Sequence, residues 1–186
     1  MRFAGLERHA LGVVRAANRT KLRVVTERPL LPESAVDDLN AIRGGFNELI
    51  GLRFVSASYD EVVAELELGP THQQPYGLVH GGVYSSMVET LASVGAALNL
   101  EAFGRHTVGL DNHTSFLRAV RSGTLIGRAR PLARGRRTQV WEVNITHDGE
   151  LVATGRVRLL GIERGTAVAG EVVTVTSGNG AVPQPE

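Results

Sequence analysis

The chain has 186 residues, of which 42% are hydrophobic and 21% charged, with a net charge of +1 and no cysteine. This is enough for one domain with a sizeable core and too little for two ordinary ones, and the balance excludes wholesale disorder and any general attraction to nucleic acid. Disulfides, thiolate metal sites and a cysteine nucleophile are excluded outright, and no apolar run reaches the roughly 20 residues of a spanning helix.

Residues 1–33 carry a weak helical pattern (Phe3, Leu6, Ala10, Val13, Val14) and end in "RPLLPES", whose prolines mark a break. Residues 1–30 hold seven basic residues (Arg2, Arg8, Arg15, Arg19, Lys21, Arg23, Arg28) against Glu7 and Glu27. The segment reads as a basic N-terminal arm or leader without the apolar stretch of a secretory signal, so a cytoplasmic location is expected. After Ser34, the residues Val36, Leu39, Ile42, Phe46 and Leu49 recur at helical spacing, with Asp37 and Asp38 in the first turn and a break at Gly44-Gly45.

Residues 53–68 alternate and are rich in β-branched side chains, predicting one bent strand or a hairpin about Tyr59-Asp60. "GPTHQQPYGLVHGG" is loop by its glycine and proline content. From Gly82 to about Leu100 runs the only long helical pattern, with an apolar stripe of Val83, Met87, Leu91, Val94 and Leu98. Strands are predicted over residues 106–117, 123–134, 138–147 and 151–162, with His147 to Glu150 as a hairpin turn, and their order reads as an antiparallel meander. "EVVTVT" could add an edge strand, and residues 163–186 read as a partly disordered tail. The pattern is α+β, one antiparallel sheet of five to six strands with one long helix. Because a single helix cannot cover both faces of such a sheet, a partner subunit is expected to cover what remains.

The helix start is chemically unusual. In "HGGVYSSMVETLAS" two glycines open the helix, and Glu89 interrupts an otherwise uncharged run. Glu89 lies two residues beyond Met87, about 200° around the helix, and so points away from the apolar stripe. Ser93 shares its face, with Ser85 and Ser86 one turn earlier, and the small residues Ala92, Ser93, Gly95, Ala96 and Ala97 are expected to admit a ligand or another backbone. The amide of Gly81 or Gly82, at the positive end of the helix dipole, can meet a developing oxyanion. Glu89 can act as general base or nucleophile, and Ser93 can hold a water. Each residue also has a bland reading, as a solvated glutamate, turn glycines or a hydrogen-bonding His80. Only their joint spacing favours a site.

Other chemistries lack their residues. The histidines (His9, His72, His80, His106, His113, His147) show no metal-ligand spacing, and there is no G-x-S-x-G elbow, dinucleotide fingerprint or P-loop. No metal and no cofactor are expected.

The segment "HQQPYGLVHGGVYSSMVETLAS" resembles the signature of hotdog-fold acyl-CoA thioesterases of the phenylacetate-pathway (PaaI-like) and 4-hydroxybenzoyl-CoA type. The resemblance runs over residues 34–162, continuing through Asn112, Phe116-Leu117-Arg118 and the Gly-Arg loop "RGRRT". It implies a hotdog fold, with the sheet wrapped around the long helix, and hydrolysis of acyl-CoA to a carboxylic acid and CoA. By the resemblance, Glu89 is the catalytic carboxylate, as base or nucleophile, and Gly81 gives the oxyanion amide. Gln74 touches the thioester carbonyl, Ser93 orients water, and His80 is structural or carbonyl-facing. The pairing of Gln74 with Glu89 is similar to the aryl-CoA subgroup, where other members have Asn with Asp. For the CoA end the candidates are Gly82, Asn112, Arg118, Arg134, Arg136, Arg137 and Thr138. Guanidinium groups suit phosphates, but "RGRRT" reads equally as a solvated turn. Phe116 and Trp141 are expected in the sheet core.

A homodimer or homotetramer is expected, with active sites at the subunit interface, acyl-CoA as substrate and no nucleic-acid partner. The competing readings are an acyl-thioester dehydratase or hydratase, and a non-catalytic acyl-CoA-sensing hotdog dimer.

Overall fold

The computed structural model describes residues 30–173. The expected helical pattern of residues 3–14 and the end of the tail, residues 174–186, lie outside the described residues.

Two short helices come first, α1 (Ala35–Ala41) and α2 (Phe46–Leu49), separated as Gly44-Gly45 suggested, with Gly45 at φ +69°. The hairpin alternative is realised for the next segment, as strands β1 (Arg53–Ala57) and β2 (Val62–Leu68) pair antiparallel. The long helix α3 spans Gly81–Glu101. It is followed by β3 (Arg105–Phe116), β4 (Gly123–Arg134), β5 (Thr138–His147) and β6 (Glu150–Glu163), within one residue of the sequence expectation at each end. The sheet order is β1-β2-β4-β5-β6-β3, with every neighbouring pair antiparallel, and the sheet wraps α3 in the hotdog arrangement.

Two expectations of pairing change. β4, β5 and β6 do form a meander, but β3 pairs with β6 at the far edge and not with β4. Helix α3, about 30 Å long, runs along the strands, with Val88 against Gly155 and Leu100 against Gly161, and delivers the chain to β3 at the sheet edge. The chain must then return over residues 117–122 to begin β4 in the middle of the sheet. The described part of the "EVVTVT" segment, in turn, does not extend the main sheet. Glu171–Val172 (β8) pairs with Ala167–Val168 (β7) in a separate two-stranded ribbon.

Helix α3 packs against β2 to β6. Its buried residues are Val83, Tyr84, Met87, Val88, Leu91, Ala92, Gly95, Ala96, Asn99 and Leu100, with Val94 and Leu98 at the margin. The buried stripe is therefore wider than the sequence pattern, and it takes in small residues assigned to the other face. Gly95 explains why. A Cβ there would lie 2.4 Å from Trp141 Cζ3, so the small positions receive the indole of the sheet rather than a ligand. Trp141 is fully buried, with Nε1 donating to Gln139 Oε1 at 2.9 Å.

The opposite sheet face carries cross-strand polar pairs. Arg53 donates to Glu65, Arg130 reaches Glu61 at 2.7 Å, Arg156 reaches Glu142 at 3.0 Å, and Thr154 Oγ1 donates to Asn144 Oδ1 at 2.7 Å. An antiparallel sheet polar on one side can face water, so this face needs no partner to cover it. Among the described residues the outer edges of β1 and β3 pair with no further strand, and on β3 Leu110 is 49% exposed.

Candidate active site

The helix start is held by its own histidine. His80 is the N-cap (φ −67°, ψ 135°), and its Nδ1 accepts the N–H of Gly82 at 2.9 Å. The Gly82 amide is thereby used in capping. The Gly81 N–H, in the first turn, has no partner within the helix and sits at the positive end of the dipole. Gly81 also lies against an aromatic ring, since a Cβ there would come within 2.6 Å of Phe116 Cε2.

That ring arrives by the return loop. Val79 N–H donates to Val120 O at 2.8 Å, and Leu117 and Arg118 N–H both donate to Val152 O, laying residues 117–120 across the N-terminal end of α3. The result is an open cleft of about 330 Å³ lined by Gln74, Leu78, Val79, Gly81, Tyr84, Phe116 and the loop through Val120. Phe116 is thus not in the sheet core as expected but 54% exposed in this cleft, while Trp141 is in the core. Gln74 reaches the same cleft from a tight turn. Its N–H donates to Leu78 O and its O accepts Gly77 N–H, both at 2.8 Å, with Gly77 at φ +70°. Arg121 braces the turn, its guanidinium donating to Tyr76 O at 3.1 Å and Gly77 O at 3.2 Å.

Glu89 occupies a second cleft of about 240 Å³, with Phe46, Ser85, Ser86 and Thr90. It is half-buried, and its carboxylate is held from strand β3. Asn112 Nδ2 donates to Glu89 Oε2 at 2.9 Å and to Ser85 O at 3.0 Å, while Asn112 Oδ1 accepts from Thr114 Oγ1 at 2.7 Å. Those partners fix the amide orientation, because a carboxylate and a carbonyl accept only. Ser93 Oγ faces the other carboxylate oxygen, Oε1, at 3.4 Å. Beneath that oxygen is Gly109, where a Cβ would stand 2.6 Å away.

A β-bulge sets this geometry. Gly109 pairs with Leu159, but Asp111 pairs with Arg158 and Asn112 with Val157, leaving Leu110 as the extra residue. Residues three apart on a regular strand face opposite ways. The inserted residue restores the phase, so Gly109 and Asn112 both face α3.

The remaining candidates are separated. Arg118 lines the Gly81 cleft and is ion-paired with Glu150 at 2.9 Å. Arg134, Arg136, Arg137 and Thr138 belong to the β4–β5 turn, which adjoins Leu100 in the last turn of α3. Within one chain that places them about a helix length, some 30 Å, from Gly81. Arg134 pairs with Asp60, Arg136 lies over the Phe103 ring at 5.5 Å, and Arg137 is exposed. Asn112, read from the sequence as a substrate or CoA contact, is bonded to Glu89. Sequence reasoning missed Gly109, Thr114 and Arg121. Gly109 meets Glu89 and Arg121 the Tyr76–Gly77 turn, partners far away in the chain, and Thr114 acts only through Asn112 on its own strand.

Among the described residues no three His, Cys, Asp or Glu side chains are placed to hold a metal, and no helix is long and apolar enough to cross a membrane.

A helix wrapped by one antiparallel sheet, with a strand-held carboxylate and a capped Gly-Gly start, is the thioesterase form of the hotdog fold. The sequence pattern of the thioesterase superfamily matches residues 76–154. A Mycobacterium tuberculosis protein named "Putative esterase Rv1847" is 44% identical over 121 residues, 63% of this chain and 86% of that protein, and its structure superposes with a TM-score of 0.62. A Listeria monocytogenes protein named 1,4-dihydroxy-2-naphthoyl-CoA hydrolase is 35% identical over 106 residues, 57% of this chain and 85% of that one. A Haemophilus influenzae thioesterase structure has a TM-score of 0.66 at 33% identity, covering 69% of this chain and 90% of that one. The chain belongs to the thioesterase superfamily, whose chemistry is thioester hydrolysis.

Proposed function

We propose that the protein hydrolyses acyl-CoA thioesters to a carboxylic acid and CoA, through residues 34–162, with Glu89 as general base. The observation that carries this reading is the fixed carboxylate, with Oε2 held by Asn112 at 2.9 Å and Oε1 facing the Ser93 hydroxyl at 3.4 Å. A carboxylate restrained at both oxygens suits proton abstraction from a water better than displacement onto a carbonyl carbon. The water oxygen attacks that carbon as its proton passes to Glu89. Negative charge then develops on the carbonyl oxygen, facing the Gly81 N–H with Gln74 beside it. Collapse breaks the C–S bond, and the proton on Glu89 passes to the departing CoA sulfur.

Spacing argues that the site spans two subunits. Gly81 and Glu89 of one chain are about 12 Å apart along α3, too far for both to lie near one carbonyl group. In a homodimer joined along the open β3 edge, with the two α3 helices antiparallel, Gln74 and Gly81 of one copy meet Glu89 and Ser93 of the other.

The relative named for 1,4-dihydroxy-2-naphthoyl-CoA makes aromatic acyl-CoAs the first members of a test panel. CoA thiol release is measured across aromatic and short, medium and long aliphatic acyl-CoAs, beside the Glu89→Gln variant. Turnover by the native chain and its loss in the variant are expected. Affinity for acyl-CoA without turnover would overturn the reading in favour of a binder.

A further inference from the structure

The cleft beside Gly81 contains a polar group that the proposed hydrolysis does not use. Tyr84 lines it, is 3% exposed, and its hydroxyl oxygen has no hydrogen-bond partner among the described residues. A buried hydroxyl without a partner is costly, and native chains leave few of them. The other such atom, Thr107 Oγ1, lies on β3 outside both clefts.

The surroundings say what the hydroxyl is for. Leu78, Val79, Leu117, Ala119 and Val120 line this cleft together with Gln74 and Arg118, and Tyr84 follows Gly81 by one helical turn on the same side of α3. The Tyr84 and Phe116 ring centroids are 5.7 Å apart at an interplanar angle of 35°. Phe116 also lies over Gly81, and its outer side is half exposed, so packing holds the ring on one side only. Burial pushes the Tyr84 phenol above its usual value of 10.0, which keeps it a neutral hydrogen-bond donor.

Resting on the thioesterase reading, we propose that Tyr84 is a specificity residue whose hydroxyl donates a hydrogen bond to an oxygen substituent on the bound acyl group. The preferred substrates are then acyl-CoAs bearing a hydroxyl or keto oxygen on the acyl moiety, which enter as Phe116 turns aside. A site built to bond a substrate oxygen discriminates against the analogue lacking it more strongly than an apolar pocket discriminates by size.

The test compares the native chain with Tyr84→Phe on paired probes that differ by one oxygen: benzoyl-CoA against 2-, 3- and 4-hydroxybenzoyl-CoA, and hexanoyl-CoA against 3-hydroxyhexanoyl-CoA. The native chain is expected to favour at least one oxygenated member in kcat/KM, and Tyr84→Phe to reduce that ratio by about fivefold to tenfold, the worth of one neutral hydrogen bond. The thermal midpoint of Tyr84→Phe without substrate should equal or exceed that of the native chain, because no partner is lost. An unchanged ratio, or a midpoint lowered by several degrees, overturns the proposal alone, the second by revealing a partner or buried water already on the hydroxyl. Absence of hydrolysis on every probe by the native chain overturns the thioesterase reading on which it rests.

Discussion

Asn112 Nδ2 lies 2.9 Å from Glu89 Oε2, across the gap between strand β3 and helix α3. The contact exists because Leu110 is an extra residue in β3, which returns Asn112 to the face already occupied by Gly109. The same amide also bonds Ser85 O, tying the strand to the helix one turn before Glu89. Asn112→Ala should therefore reduce kcat by roughly tenfold to a hundredfold, the usual worth of a hydrogen bond to a charged group. Steady-state kinetics on the best panel substrate reads this, and an unchanged kcat would mean that the contact does not orient the carboxylate in the reaction.

Glu89→Gln keeps the shape of the side chain and an oxygen to accept from Asn112, but removes the base. Turnover is expected to fall on the order of 10² or more, with a thermal midpoint near that of the native chain. Single turnover in ¹⁸O-labelled water separates the two roles of the carboxylate. A general base leaves Glu89 unlabelled, whereas a nucleophile forms an anhydride that places the label on Glu89 when water opens it at the glutamyl carbonyl, so label on Glu89 excludes the general-base role.

The proposed two-subunit site makes a complementation prediction. Gln74→Ala and Glu89→Gln, each impaired alone, should regain activity when co-expressed, because a mixed dimer holds one site with both changes and one with neither. Random pairing leaves about a quarter of the sites intact in a dimer with cross-subunit sites. No recovery above the separate variants would place both residues of each site on one chain.

Tyr84 also predicts a dependence on alkaline pH. Its folded-state pKa is raised by burial above the usual 10.0, so the stability it contributes is complete below that value and is lost as pH rises past it. Between about pH 9 and 11 the native chain should lose more stability than Tyr84→Phe, with the two converging at lower pH. Denaturant midpoints across that range provide the measurement, and parallel curves would contradict it.

Gly95→Val tests the helix–sheet contact. A Cβ at this position would overlap the Trp141 ring, at 2.4 Å from Cζ3, and neither the helix backbone nor a fully buried indole can move cheaply. A destabilisation of about 1–3 kcal/mol is expected, partly relieved when Trp141→Leu is added. Chemical denaturation of the two single variants and the double variant gives the coupling.

Much of this protein was written locally. Alternation, helical period and turn residues located α3 and β1 to β6, and Gly81, Glu89 and Ser93 followed from spacing along one helix, because these patterns depend on neighbours a few residues apart. Pairing and close packing are of another kind. That β3 lies at the edge beside β6, and that residues 117–120 return over Gly81, rest on pairings between segments far apart in the chain. The grouping of Asn112, Thr114 and Gly109 around Glu89, and the entry of Trp141 against Gly95, join residues far apart in the chain. The sequence by itself supplied the candidates for the chemistry. Only the tertiary structure decided which of them meet, because a one-residue bulge or a strand placed at the other edge reverses what a side chain faces without changing any local preference.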